Sequence, residues 1–194
     1  IGVVEYDRVE LSNLQRQILF ETMDIGRLKV EAAADRISEL NEDCKVTIFP
    51  QRLKDTNAGE LLSGFDLVLD GSDNFATRFA VAKAAAEKKI PLISAAISGF
   101  SGQLSTFKPY LGDESPCYRC LVPEQPEREI TCAQEGIVGP LAGMLGSMQA
   151  LEAIKELLSI GQSLSGYLLI VDALSWSVRK TVLPRDPSCA FHSH

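Results

Sequence analysis

Apolar positions along this chain follow two different periods. Val30, Ala33, Ala34, Ile37 and Leu40 lie three or four apart, with Lys29, Glu31, Asp35 and Glu39 elsewhere on the surface, which predicts an amphipathic helix entered through Gly26-Arg-Leu-Lys29. The alanine-rich run Thr77 to Lys89 predicts a second helix, and Leu141 to Leu158 a third and longer one. Short apolar runs bounded by turn residues predict strands at Ile1 to Val4, Lys45 to Pro50, Asp66 to Asp70 and Pro91 to Ala96, with a short helix over Gly59 to Gly64. The first of these reads as a fully buried strand ending in Glu5.

Strand and helix therefore alternate through the first half, the rhythm of a parallel sheet with right-handed crossovers. After Ile97 the rhythm changes. Ser98-Gly-Phe-Ser-Gly102 is a turn and Gln103 to Phe107 alternates as a strand with no helix between, so antiparallel strands are expected from here on. Tyr167 to Asp172 and Trp176 to Leu183 predict a closing strand pair. The expected fold is a single α/β domain over residues 1–194, Rossmann-like, with a mostly parallel sheet, helices on both faces and antiparallel strands in the C-terminal half. Gly143, Gly146, Ala150 and Ala153 in the long helix permit close contact with another helix, including one of a second subunit.

Composition narrows the ligands. With 194 residues and 45% hydrophobic content the chain can bury a sizeable core, and 26 acidic against 19 basic residues give a net charge of -7. That balance argues against nucleic acid as the main ligand and suits a small basic partner. The longest apolar stretch, Ile137 to Met148, is too short and glycine-rich to span a bilayer, so a soluble cytoplasmic protein without membrane partners is expected. Ile1 is already inside a strand, and no G-x-G-x-x-G occurs in the chain. The glycine-rich βα unit that usually opens a nucleotide-binding sheet is therefore expected to be missing from the N-terminal side.

The candidate chemistry gathers where strands end. Glu5 closes the first strand, where a carboxylate can accept hydrogen bonds from ribose hydroxyls. Ser12 and Asn13 can cap a short helix carrying Arg16, whose guanidinium can fork onto phosphate oxygens. Lys29, in the first turn of its helix, is either a phosphate ligand or an exposed lysine. Asp73, in Leu69-Asp-Gly-Ser-Asp-Asn-Phe75, is placed to hold Mg²⁺ against phosphates, or else Asp73 or Asn74 merely caps the following helix. Arg16, Lys29 and Asp73 together point to a phosphate–magnesium site.

Cys117-Tyr-Arg-Cys120 and Cys189-Ala-Phe-His192 repeat the two-residue spacing that lets two side chains reach one tetrahedral metal, which predicts a structural zinc site of three sulfurs and one imidazole. A disulfide and a redox dithiol are the competing readings. Cys132 is either a nucleophile or an ordinary half-buried thiol, and Cys44 reads as structural. Both histidines, His192 and His194, fall in the last three positions, so a histidine general base is hard to assemble.

In order along the chain, Ser12-Asn-Leu-Gln-Arg-Gln17, Gly26-x-x-Lys29, Leu69-Asp-x-Ser-Asp-Asn74, Cys117-Tyr-Arg-Cys120 and Gly146-Ser-Met-Gln-Ala-Leu-Glu-Ala-Ile-Lys155 resemble the MoeB/ThiF/HesA family, bacterial relatives of ubiquitin-activating enzymes. The resemblance covers essentially the whole chain. It implies ATP- and magnesium-dependent adenylation of the C-terminal glycine of a small ubiquitin-like (β-grasp) sulfur-carrier protein of the thiamin or molybdopterin type, by a homodimer. It further implies that Glu5 binds ribose, that Asn13, Arg16 and Lys29 contact ATP phosphates with Gln17 beside them, and that Asp73 serves magnesium and catalysis. Cys117, Cys120 and Cys189 match zinc ligands, with His192 standing where the family has a fourth cysteine, and Cys132 matches a cysteine that can link covalently to the activated carrier. No sulfurtransferase domain is recognised, so sulfur is expected from a separate protein. Two alternatives remain open: a noncatalytic nucleotide-binding or scaffold module of the same fold, and an NAD-dependent oxidoreductase.

Overall fold

The computed structural model describes residues 1–125, 136–189 and 191, in two units, Ile1–Leu53 and Lys54–His194. In the first unit, strand β1 (Gly2–Val4) pairs in parallel with β2 (Thr47–Phe49), Gly2 opposite Thr47 and Val4 opposite Phe49. Helix α1 (Lys29–Leu40) lies between them in sequence, as a parallel crossover requires. It buries Val30, Ala32 and Ala33, while Leu40, expected on the same face, is exposed. β1 is half-buried rather than fully buried, because among the described residues it has a strand on one side only.

Residues 5–28 fold back along the start of α1. Val9, almost completely buried, donates its N–H to Arg27 O at 2.9 Å and accepts from Gly26 N at 2.9 Å, and Lys29 N donates to Asp7 O at 2.9 Å. Arg8 and Leu28 form an antiparallel bridge. This pairing carries the end of β1 to the first turn of α1.

In the second unit β3 (Val68–Asp70), β4 (Leu92–Ser98), β5 (Ser101–Phe107), β6 (Tyr167–Asp172) and β7 (Ser177–Val182) form one sheet in sequence order. Only β3 and β4 are parallel there, and the other three ladders are antiparallel. The sheet is therefore mixed and not mostly parallel, because from β4 onward tight turns replace helical crossovers. Gly99 takes φ +55 in the two-residue turn between β4 and β5, a conformation that favours glycine.

Short helix α2 (Ala58–Leu61) precedes β3, and α3 (Phe75–Lys88) joins β3 to β4. Helix α4 (Tyr118–Leu121) is a single turn, and α5 (Gly139–Leu158) is the longest element. Leu141, Leu145 and Ala153 of α5 pack with Ile93, Ala95, Leu104, Leu164 and Val171 in the core. The missing side chain of Gly102 is what lets Leu145 approach β5, since a Cβ there would collide with it. Gly143, Gly146 and Ala150 are instead exposed. Among the described residues, no helix is long and apolar enough to cross a membrane.

Candidate functional site

The candidate phosphate residues of the first unit sit at the C-terminal end of β1. Glu5 Oε1 accepts the backbone N–H groups of Tyr6 at 2.8 Å and Asp7 at 3.0 Å, which fixes its carboxylate across the strand end. Lys29 Nζ then lies 3.6 Å from Glu5 Oε2 and 3.5 Å from Asp7 Oδ2. Its side chain is only 11% exposed, so one cation is held between two carboxylates in a partly desolvated position. An incoming polyphosphate can take this ammonium from the carboxylates, exchanging one anionic partner for another.

Arg16 is arranged differently from the expectation. Ser12 and Asn13 belong to a 3₁₀ turn, Leu11–Asn13, and Arg16 follows that turn instead of opening an α-helix. Asn13 is buried, and its Oδ1 accepts Glu10 N at 3.2 Å, so its side chain fastens the turn. Arg16 Nη1 donates to Ser12 O at 3.1 Å, a bond an anion can replace. The neighbouring Gln17 Oε1 is buried without a hydrogen-bond partner among the described residues. Arg16 and Lys29 thus share a unit, each satisfied by its own neighbours.

Asp73 lies in the second unit, between β3 and α3. The capping ambiguity is resolved by geometry: Asn74 is the N-cap and its Oδ1 accepts Thr77 N at 2.9 Å. Asp73 is exposed, with Asn74 Nδ2 3.5 Å from its Oδ1, so its carboxylate is not committed to the helix. Behind it the loop is firmly held. Asp70, 5% exposed, accepts Ser72 N at 2.9 Å through Oδ1, Arg78 donates to Ser72 O, and Gln149 Nε2 bridges Asp70 O at 3.0 Å and Ile93 O at 2.8 Å. Asp70 Oδ2 and Ser72 Oγ are buried without partners among the described residues.

The cysteine cluster forms as the spacing predicts. Cys117 Sγ is 3.8 Å from Cys120 Sγ and 3.6 Å from Cys189 Sγ, and all three sulfurs lie within 4.8 Å of one another. Tetrahedral zinc with Zn–S bonds of about 2.3 Å sets its sulfurs about 3.8 Å apart. The donor set fits that ion, and none of the three cysteines is disulfide-bonded. Burial, and then the Cys189 sulfur, push the Cys117 thiol up to about 12. A cation among the sulfurs reverses that preference by stabilising thiolates. His192 and Cys132 lie outside the described residues. A cavity of about 550 Å³ adjoins Cys117, but Phe79, Leu92, Phe107 and Tyr118 dominate its wall and neither Lys29, Arg16 nor Asp73 lines it.

Three contributors escaped the sequence reading. Asp7 stands two residues beyond Glu5 and shares the Lys29 ammonium with it. Gln149 is a polar residue four positions from buried Leu145, on a face that also buries Leu141, Glu152 and Ala153, and that irregularity was a readable signal. Arg78 carried no local signal, since its partner, Ser72 O, comes from the loop before its helix.

Parallel strands joined through helices, antiparallel strands after them and a three-sulfur cluster define a mixed α/β, Rossmann-like protein. Within that class this chain belongs to the ThiF family, whose model matches residues 1–191. It is 47% identical over 193 residues to the sulfur carrier protein adenylyltransferase of Thermus thermophilus, covering 97% of this chain and 71% of that protein. It is 39% identical over 192 residues to the adenylyltransferase and sulfurtransferase MOCS3 of Drosophila virilis, covering 97% of this chain and 42% of that one. Among solved structures, E. coli MccB crystallised with succinimide superposes with a TM-score of 0.82 at 18% identity, over 97% of this chain and 58% of its own. The chain thus spans between about two fifths and about seven tenths of these proteins.

Proposed function

We propose that this chain uses ATP to adenylate the C-terminal carboxylate of a small ubiquitin-like sulfur-carrier protein. The observation that carries the reading is the 47% identity, across 97% of the chain, to a protein named for that activity. The site chemistry agrees with it. Adenylation joins a carboxylate oxygen to the α-phosphorus as the bond from that phosphorus to the bridging oxygen breaks and pyrophosphate leaves. Two anions must meet and a third must depart, so the protein needs fixed positive charge more than it needs a nucleophile.

In this reading Lys29 leaves Glu5 and Asp7 for the phosphates, Arg16 leaves Ser12 O for them, and Asn13 and Gln17 line the same stretch. Glu5, released from Lys29, accepts the ribose hydroxyls. Asp73 holds magnesium, which neutralises phosphate charge when bound. Cys117, Cys120 and Cys189, with His192 proposed as the fourth ligand, hold a structural zinc. Cys132 is proposed as the thiol that meets the activated carrier. The 194 residues are proposed to act as one adenylation domain together with a glycine-rich βα unit preceding β1. The described ladders leave one edge of β1 and one edge of β3 open to a further strand. A homodimer is supported by Leu151, Ile154, Leu157 and Leu158, all exposed on α5.

Carrier-dependent exchange of labelled pyrophosphate into ATP tests the proposal. Exchange is expected with a carrier ending in glycine, and Asp73→Ala should lower it on the order of a hundredfold or more while the metal stays bound. Binding of ATP without exchange, whichever carrier is supplied, would replace the enzyme by a nucleotide-binding module.

A further inference from the structure

Helix α5 turns two polar side chains into the core. Gln149 and Glu152 stand three residues apart, at the helical spacing that shares a face with buried Leu145, and are 9% and 2% exposed. Polar groups at such depth must be paired, and each is paired with a different part of the sheet. Glu152 Oε1 accepts the Thr106 hydroxyl of β5 at 3.1 Å and Leu164 N at 2.7 Å, and Lys155 donates to its Oε2. Gln149 Nε2 instead donates to Asp70 O of β3 at 3.0 Å and to Ile93 O of β4 at 2.8 Å. An amide nitrogen has two hydrogens, so one side chain can serve both carbonyls. The place it grips is where β3 ends: Asp70 opposite Ser94 is the last pair of that ladder, whereas β4 runs on to Ser98 against β5. The next three residues are Gly71, Ser72 and Asp73.

We infer that Gln149 is a positioning residue for the Asp73 loop, tying the strand end from which the loop departs to the long helix. The bonds from Ser72 N to Asp70, from Arg78 to Ser72 O and from Thr77 N to Asn74 all arise between the end of β3 and the start of α3. They give the loop its shape but move with it. Gln149 comes from 79 positions away, on a helix that Leu141, Leu145 and Ala153 hold in the core and that Glu152 ties to β5. Its amide therefore sets where the loop starts relative to the rest of the sheet. Asp70 Oδ2 and Ser72 Oγ, buried without partners among the described residues, contribute no such hold. The role given to Asp73 rests on the adenylation reading above, whereas the seating of the loop by Gln149 does not.

Hydrogen exchange on the full chain tests this, with the backbone amides of Ser72 to Asn74 as reporters and those of Leu168 to Val171 in β6 as the internal control. Gln149→Met keeps the length of the side chain and removes both donors, and is expected to speed loop exchange roughly three- to tenfold over the control, the size of one side-chain hydrogen bond. Glu152→Gln, three residues along the same face, should weaken the fold as a whole and leave the ratio of loop to control unchanged, which separates positioning from general damage to α5. In the pyrophosphate assay Gln149→Met should lower kcat by a similar factor with KM for the carrier unchanged, and Glu152→Gln should leave both as they are. Should Gln149→Met not fold, Gln149→Asn, which withdraws the amide by one methylene, should show the same loop-specific change to a smaller extent. Native loop protection in the folded Gln149 variant, or an equal loop change in Glu152→Gln, overturns the positioning role. If native protein adenylates no carrier while the loop of the Gln149 variant still outpaces the control, the function reading fails and the positioning stands.

Discussion

The sulfur cluster and the Lys29 group are both sites of concentrated charge chemistry, and the protein prepares them in opposite ways. Cys117, Cys120 and Cys189 converge at ligand distance, two of them buried. Lys29 is instead already paired, 3.5 and 3.6 Å from two carboxylates, and Arg16 is already bonded to its own loop. A partly buried ammonium left unpaired would be costly, and Glu5 and Asp7 supply its counter-charge. On the function proposed above, the cysteines hold a resident metal, whereas Lys29 exchanges its carboxylates for a polyphosphate.

That contrast can be broken most forcefully at the metal. With free zinc about a thousandfold above its dissociation constant, binding stabilises the folded chain by roughly 4 kcal/mol, and Cys117→Ser should forfeit most of it. Thermal melts with and without chelator check this, and identical melting temperatures would remove zinc from the account. Uptake of the ion must also release protons, because burial holds the Cys117 thiol protonated, so affinity should fall as the pH is lowered.

A smaller effect on stability, but a large one on activity, is expected at the other site. Lys29→Ala removes a nearly buried ammonium but leaves carboxylates that are 33% and 49% exposed, so its stability cost should be on the order of 1 kcal/mol, yet it should cost on the order of a hundredfold in carrier-dependent exchange. Denaturant melts alongside the assay separate the two quantities. Equal losses in both would mean that Lys29 is structural, and the contrast with the cysteines would collapse.

The smallest effect lies away from both sites, in the turn between β6 and β7. The Ser175 hydroxyl, then the N–H groups of Leu174 and Ser175, hold the Asp172 carboxyl below its ordinary value of 3.8. The folded pKa is depressed, so the turn's contribution is present above that ordinary value and is lost as pH falls through the folded one. Asp172→Asn should flatten the acid limb of a stability–pH curve below about pH 4 and leave it unchanged near neutrality. An unchanged acid limb would show the turn to be indifferent to that charge.

What could be read in the sequence was what depends on near neighbours. Helical spacing marked α1, α3 and α5 to within a few residues of their ends, and Cys117-x-x-Cys120 announced its own geometry, because a turn of backbone sets where the second sulfur falls. The family resemblance likewise rested on short ordered motifs. Asn74 as the cap of α3 was readable as one of two choices but not as the choice made, since Asp73 and Asn74 are equally able caps and only the backbone conformation separates them. The balance of parallel and antiparallel ladders was misjudged for a related reason. Strand period is the same in both, and only the lengths of the connections after Ile97 hinted at the change.

The chain by itself therefore determined the elements, the donor types and the spacing within each motif. Tertiary structure decided which donors meet. It brought Cys189 to Cys117 across 72 positions, set Lys29 against a carboxylate 22 positions earlier, and aimed Gln149 at the carbonyls of Asp70 and Ile93. A rotamer or a turn is chosen by contacts a few residues away and is written locally. A charge is neutralised by whatever packing delivers to it, and packing is a property of the whole fold.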